Sequence, residues 1–405
     1  MSDFLYTAQA LDGSIKKDKL EAANKKELES KLNKDGLSLV SSTLVQKQKN
    51  QKVTGLEKFL NRVSLVDRMF FTQNLEVMIR TGFSIARALK TLSLQASNPY
   101  FAKIINQICS EVEQGKTLAT SMREYPNVFS SIFINMIEAG EVSGQLESVL
   151  KRLTIQMKKD HALIAKVKGA LTYPAVILIA MAGVGVAMFI FVIPKITSLY
   201  DESTVELPMA TKLLISTSDF ASKNAILVVG SMIALVIIVM RWLKTKHGRR
   251  VWHTILLRLP IFSKIVKKIN LARFTRTLSS LLKTDIPIVK AFTIISNTLG
   301  NVYYRDAMMV VADNVKQGNT ITSVLEQYPA LFPPVVTQII NVGEQSGTID
   351  TISEEIAVFY EEEVEQTMSS LATIIEPILM LVLGAGVGLV AIAIIMPMYN
   401  LVETI

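Results

Sequence analysis

The sequence predicts an all-α polytopic membrane protein: two duplicated cytoplasmic helical bundles, three transmembrane helices and a small N-terminal α/β unit. Three observations carry this prediction. The 405 residues are 50% hydrophobic and only 19% charged, with a mean hydropathy of +0.36, which is too apolar for a soluble protein of two or three domains. Gly140-Glu141-Val142-Ser143-Gly144-Gln145-Leu146 returns as Gly343-Glu344-Gln345-Ser346-Gly347-Thr348-Ile349. No charge occurs between Lys168 and Lys195, or between Glu376 and Glu403, and each run exceeds the ~20 residues that cross a bilayer.

The repeat extends far beyond its most obvious motif. One constant offset carries Gly115 onto Gly318, Tyr125-Pro126 onto Tyr328-Pro329, Phe129 onto Phe332, Pro174 onto Pro377 and Pro194 onto Pro397. Residues 71–200 lie on 274–403 without a gap, and about 28 of about 130 positions are identical. That is an internal duplication, which decides the fold before any local reading does.

Taken in order, residues 1–45 form the small leading unit. Residues 4–10 alternate loosely, Asp12-Gly13 marks a turn, and a second extended stretch follows at 15–21. Residues 24–34 read as an amphipathic helix stopped by Gly36, and 37–40 as a last strand. Residues 46–64 are a linker, and 46–52 hold no apolar side chain. The first bundle covers 65–168, with Phe70, Phe71, Leu75, Met78 and Ile79 at helical spacing. The second covers 271–371 and has Asp285 where the first has Gly82. The spans are 171–194, 224–242 and 377–398, the middle one extended by the interfacial Trp242.

The duplication sets the topology independently of charge. Two copies in the same order, bundle then span, enter the membrane the same way round. The chain must therefore return between them, and the return is the run at 225–240. Charge agrees, because Lys158, Lys159, Lys166 and Lys168 precede the first span and Arg241, Lys244, Lys246, Arg249 and Arg250 follow the second. Residues 195–223 and 399–405 are then periplasmic, and 243–270 form a basic cytoplasmic linker. The net charge of +8 is read as this membrane-side bias, not as a nucleic-acid surface. The opening residues have no basic stretch followed by an apolar core, so no signal peptide is expected.

Candidate chemistry is sparse. Gln114-Gly115-Lys116-Thr117 lacks the earlier glycine and the preceding strand of a phosphate loop, so Gly115 reads as a helix stop. Cys109 is the single cysteine and reads as a small buried hydrophobe. His161, His247 and His253 have no ligand-like spacing; a carboxylate site for a hard cation would leave no such signature. No cofactor and no catalytic set are expected. The repeated Gly-Glu-x-Ser-Gly reads as a turn between helices. Gly140, Gly144, Gly343 and Gly347 would supply positive φ, the serines would cap the next helix, and Glu141 and Glu344 would favour its first turn. The sharper reading makes both glutamates docking groups on an exposed turn.

After that turn the copies invert in charge. Lys151, Arg152, Lys158 and Lys159 correspond to Glu354, Glu355, Glu361 and Glu362. Either these are two solvated faces, the basic one against anionic lipid, or the equivalent helices face each other with opposite sign, in one chain or across a dimer. In the spans, Gly384-Ala385-Gly386-Val387-Gly388 and Met181-Ala182-Gly183-Val184-Gly185 suggest close helix packing. Pro174 and Pro377 lie at the span entrances and would kink or end the helices. Glu376, beside Pro377, is the one ionisable group at an entrance.

Several stretches together resemble a known family. They are Phe71-Thr72-Gln73-Asn74-Leu75, Thr81-Gly82-Phe83-Ser84-Ile85, Gly115-Lys116-Thr117-Leu118, Tyr125-Pro126 with Phe129, the Gly-Glu-x-Ser-Gly turn and Tyr173-Pro174. They are similar to the duplicated F domain of type II secretion systems and of the type IV pilus inner-membrane platform. Phe4 to Ala8, Asp12-Gly13 and Glu21-Ala22 resemble the family's leading domain. The resemblance implies an all-helical cytoplasmic domain per copy and no enzymatic activity. It implies a homo-oligomeric platform in the bacterial inner membrane. Its implied partners are a cytoplasmic hexameric assembly ATPase, pilins or pseudopilins, and other inner-membrane assembly proteins. The alternative is a transporter built on a repeat. That would place its repeats within the membrane, with broken helices and midplane polar groups, whereas the predicted spans carry no ionisable residue mid-membrane.

Overall fold

The computed structural model describes residues 2–10, 15–22, 29, 31–33, 36–45, 62–194 and 209–403. They divide into two compact units, Met1–Arg62 and Val63–Ile405. In the first, strands β1 (Ser2–Ala10), β2 (Ile15–Ala22) and β3 (Leu37–Val45) form an antiparallel sheet in the order β2-β1-β3. β1 pairs with both neighbours, and its register against β3 shifts between Thr7 and Ala8. The last strand is longer than the expected 37–40. Of the expected helix at 24–34, Glu29 and residues 31–33 are helical, with Leu32 buried. The remainder of it and the linker at 46–61 lie outside the described residues.

In the second unit the duplication is a helix-for-helix match. The first copy comprises α1 (Leu65–Arg80), α2 (Ile85–Gln95), α3 (Pro99–Glu113), α4 (Leu118–Arg123), α5 (Ser131–Ser143) and α6 (Leu146–Ala187). A π-helical turn, Met188–Val192, continues α6. Helix α7 (Met209–Lys223), the return helix α8 (Ala225–Lys244) and the connecting helix α9 (Lys246–Arg258) follow. The second copy is α10 (Pro260–Leu282), α11 (Ile288–Thr298), α12 (Val302–Lys316), α13 (Ile321–Leu325), α14 (Pro334–Ser346) and α15 (Ile349–Glu403).

Local chemistry explains the boundaries. Ser64 and Asp67 form a reciprocal capping box on α1. The side chains of Ser84, Asn98, Thr117 and Ser130 accept from the first-turn amides of α2 to α5. In the second copy Asn301 and Thr320 do the same for α12 and α13. Gly115 and Gly318, at φ 90° and 92°, stop α3 and α12 where only glycine is unstrained.

Each bundle closes on an aromatic cluster. Phe71 meets Phe101 at 5.4 Å and Phe129 at 6.1 Å between ring centroids. Their counterparts Phe274 and Tyr304 meet Phe332 at 5.7 Å and 5.4 Å. These side chains are buried, and each contributes about 2–3 kcal/mol relative to exposure. Tyr304 carries a hydroxyl that Phe101 lacks, and it donates to the Leu331 carbonyl at 2.7 Å, so the extra polar atom is satisfied. Cys109 is buried in the first core.

Among the described residues, three helices are long and apolar enough to cross a membrane, within Leu146–Val192, Ala225–Lys244 and Ile349–Gly388. The outer two are the last bundle helices themselves, because α6 and α15 run on through their spans without a break. Pro174 and Pro377 therefore lie inside helices and end neither. A proline removes one hydrogen bond, and the apolar run on either side propagates the helix past it. Residues 209–223, expected as part of a connecting segment, are the helix α7, whose Ser218 donates to the Phe189 carbonyl in the π-helical turn at 2.7 Å.

The one positive-φ residue other than glycine among those described is Asp285, at φ 57°. It keeps the turn that Gly82 makes in the first copy. Gly82 and Phe83 N–H donate to Ile79 and Met78 carbonyls at 2.9 and 3.0 Å, and Asp285 and Ile286 to Leu282 and Leu281 at 3.0 and 3.2 Å. Asp285→Gly should relieve left-handed strain and raise stability by up to about 1 kcal/mol, read as a higher midpoint in thermal unfolding of the detergent-solubilised protein.

Candidate assembly interface between the two repeats

The Gly-Glu-x-Ser-Gly motif is the last turn and cap of α5 and of α14, not a free loop. Gly144 and Gly347 are the left-handed caps, at φ 70° and 72°. Gly140 and Gly343 are helical, and positive φ is not their role. A Cβ on Gly140 would lie 2.9 Å from Val149 Cγ2, and one on Gly343 would lie 3.2 Å from Ile349 Cα. The absent side chain lets α5 and α14 pack closely on the starts of α6 and α15. The serines do not cap the following helices either. Ser143 donates back to Ala139 O at 2.8 Å and Ser346 to Val342 O at 2.7 Å.

The glutamates turn inward. Glu141 Oε1 accepts from Leu118 N–H at 2.6 Å and Oε2 from Ala119 N–H at 2.8 Å. Glu344 accepts from Ile321 N–H at 2.6 Å and from Thr322 N–H at 3.1 Å, with the Thr322 hydroxyl at 2.9 Å. Each carboxylate thus caps the short helix α4 or α13, where unpaired amides and the helix dipole favour an anion. Both carboxylate oxygens are occupied within the bundle, which corrects the expectation of an exposed docking group.

The charge-inverted helices face each other within one chain. Glu361 lies at the centre. It receives Arg276 Nε and Nη2 at 2.7 and 3.0 Å from its own copy, and Lys159 of the first copy at 3.1 Å. Lys166 pairs with Glu365, Arg273 with Asp160 at 3.6 Å, and Lys290 with Glu138 at 3.2 Å. Gln156, 5% exposed, accepts from Ser280 at 2.9 Å. Lys158 and Glu362 are exposed and form no ion pair among the described residues. The sequence missed Arg276, which stands where the first copy has Gln73. Its signal was available: a helix that turns acidic needs a cation on the helix packed against it.

The pairs Lys159–Glu361 and Lys166–Glu365 precede a shared apolar cavity of about 430 Å³ lined by Met181, Val184, Gly185, Val382 and Gly386. Contacts thus follow the same order on both helices, so α6 and α15 run parallel. A Cβ built on Gly183, Gly185, Gly384, Gly386 or Gly388 would meet nothing within 4 Å. The expected close packing at these glycines does not occur among the described residues, where a cavity lies between the two helices. At the span entrances Pro174 is buried, whereas Glu376 and Pro377 are exposed.

A family profile described as type II secretion system (T2SS), protein F, matches residues 71–194 and again 274–397. The chain belongs to the type II secretion system protein F family. Each F-family match takes in a bundle and its span together, as the uninterrupted α6 and α15 require. The chain is 32% identical over 404 residues to the type IV pilus assembly protein PilC of Myxococcus xanthus, covering 100% of this chain and 96% of that protein. It is 31% identical over 341 residues to PilC of Thermus thermophilus, covering 84% of each. It is 29% identical over 404 residues to the type II secretion system protein F of Vibrio cholerae, covering 99% of this chain and 98% of that protein.

Electrostatics at the F-family interface are uneven. The hydrogen bond from Lys283, reinforced by the charges of Lys283, Arg276 and Arg152, holds the Glu354 carboxyl below its usual range against partial burial. Asp160 moves the other way. Burial pushes its carboxyl up, Arg273 pulls it back, and Glu361 adds to the rise. The two sites therefore respond oppositely to acid.

Replacing Glu344 by Ala removes the cap on α13, and thermal unfolding should show a loss of about 1–2 kcal/mol. Glu354→Gln should destabilise at pH 7. A depressed carboxylate contributes stability above its unfolded pKa and loses it as pH falls through the lower folded value. The gap in melting temperature between wild type and Glu354→Gln should therefore narrow as pH falls below the ordinary glutamate range; a gap that stays constant with pH would count against the Lys283–Glu354 contact.

Proposed function

We propose that this chain is a non-enzymatic assembly platform of the bacterial inner membrane, with its N-terminus cytoplasmic. It couples a cytoplasmic hexameric ATPase to insertion of pilin or pseudopilin subunits into a type IV pilus or a type II secretion pseudopilus. The names of the relatives support both systems. The observation that carries the mechanism is the continuity of α6 and α15 from bundle to span. A rotation imposed on either bundle reaches the membrane along a helix without a hinge, and the Lys159–Glu361–Arg276 contact makes the two helices move together. Lipid contacts the spans, and further inner-membrane assembly proteins and other copies of the chain surround them. Nucleic acid has no part in this reading.

Inserting Gly-Gly-Ser-Gly between Lys168 and Gly169 should leave the protein in the membrane and its bundles folded, yet abolish surface fibres or protein secretion. Immunoblotting of membranes and electron microscopy of cells check both halves. Normal fibres and secretion with the insertion in place would remove the lever mechanism. Unchanged fibres and secretion in a deletion strain, with altered solute uptake, would point to transport.

A further inference from the structure

The chain turns a tight corner where the return helix α8 ends. Thr245 caps α9 by accepting from Gly248 N–H at 3.1 Å. A Cβ on Gly248 would lie 2.1 Å from the Trp242 carbonyl oxygen, so only glycine fits. The corner fixes Lys244, at the membrane end of α8, beside Lys246 and Arg249 on the first turn of α9.

α9 is held against the second bundle by specific contacts. His253 Nδ1 accepts from Val302 N–H at 3.1 Å, and Thr254 bonds the Tyr303 hydroxyl at 2.7 Å. Arg250 lies over the Tyr303 ring at 5.7 Å and pairs with Asp306 at 3.6 Å. Between these elements is a cavity of about 570 Å³, lined among others by Lys244, Lys246, Arg249, Arg250, Arg305 and Asp306. Five cations thus surround one carboxylate. Lys244, Lys246, Arg249 and Arg305 form no ion pair among the described residues. Such a cluster repels itself unless an anion joins it.

Membrane depth identifies the anion. Trp242 and Trp252 are exposed near this corner, and Ile255 and Leu259 are exposed towards the far end of α9; Trp side chains favour the bilayer interface. α9 has the composition of a helix lying in the headgroup layer, basic on one side and aromatic and aliphatic on the other. The first repeat does not build this pocket. It has Ala102 where the second has Arg305, and Leu94 where the second has Asn297.

We propose that this pocket binds the phosphodiester headgroup of an anionic phospholipid, with the acyl chains lying along α8. Lys244 and Lys246 supply point charges. Arg249 and Arg305 offer forked N–H donors suited to phosphate oxygens. The site ties the return helix and the second bundle to the lipid surface.

The chain's two tryptophans are Trp242 and Trp252, so selectively excited tryptophan fluorescence reports on α8's end and α9. Full-length protein in phosphatidylcholine bicelles would be titrated with phosphatidylglycerol. A saturable fluorescence change and a rise in melting temperature are expected. Arg249→Gln/Arg305→Gln should weaken apparent affinity about tenfold or more. Lys103→Gln/Lys316→Gln, with the same charge change on exposed bundle positions, should leave it unchanged. Arg249→Gln and Arg305→Gln singly should each show an intermediate loss, and the melting curve without phosphatidylglycerol checks that every variant is folded. An equal response to inorganic phosphate would reassign the pocket to a free anion. No saturable response, or equal weakening by the control pair, would overturn the proposal.

Discussion

The arrangement of the membrane unit depends on the Glu361 carboxylate. Arg276 holds it bidentately from within the second repeat, and Lys159 reaches it from the first. Arg276 is nearly buried, at 8% side-chain exposure, and a buried guanidinium without an anion would be costly. The pair therefore specifies which faces of α6 and α15 meet. Around it, Lys166–Glu365 and the buried Gln156–Ser280 bond keep the same register. The charge inversion is thus not two solvated faces. It is what lets two copies of one sequence bind each other without each binding its like.

Much of the fold was legible in the residues. The duplication, the helix stops at Gly115 and Gly318, and the spans follow from spacing and composition, because caps and apolar runs are local chemistry. The partner of Glu141 was not. Its acceptors serve amides more than 20 residues away at Leu118 and Ala119, and nothing nearby in sequence signals that a carboxylate folds back. Arg276 left one signal, the acidic turn of α15, but which helix supplies the cation is fixed only by the packing of α10 on α15. Pro174 was legible as a residue but not as an outcome, since whether a proline ends a helix depends on what continues beyond it. The helix at Met209–Lys223 was missed because its mixed polar face reads as a loop until the π-helical turn after α6 offers it something to pack on.

The repeats share a backbone and have diverged in side chains both outside and inside the bundles. The cores share three aromatic positions, Phe71/Phe274, Phe101/Tyr304 and Phe129/Phe332, whereas Phe133 stands against Val336 and Leu89 against Phe292; the connecting helix α9 and its basic pocket adjoin the second copy. Asp285 shows how strictly the backbone was kept, since a non-glycine residue holds the left-handed turn instead of the turn being rebuilt. Side chains have changed on the surface and in the core, and the backbone frame has been kept.

The contact between the repeats also lacks two-fold character. In a symmetric pair every contact would occur twice. Here Arg273 meets Asp160, but the counterparts Phe70 and Glu363 do not meet: Phe70 is 59% exposed, and Glu363 pairs with Lys268 in its own repeat. Likewise Gln156 is buried, while its counterpart Phe359 is 55% exposed. The internal contact is therefore not two-fold symmetric at these positions, although the equivalent helices α6 and α15 meet in it. The two copies are thus not interchangeable: Arg273 and Gln156 enter the contact between repeats, and their counterparts Phe70 and Phe359 stay exposed outside it.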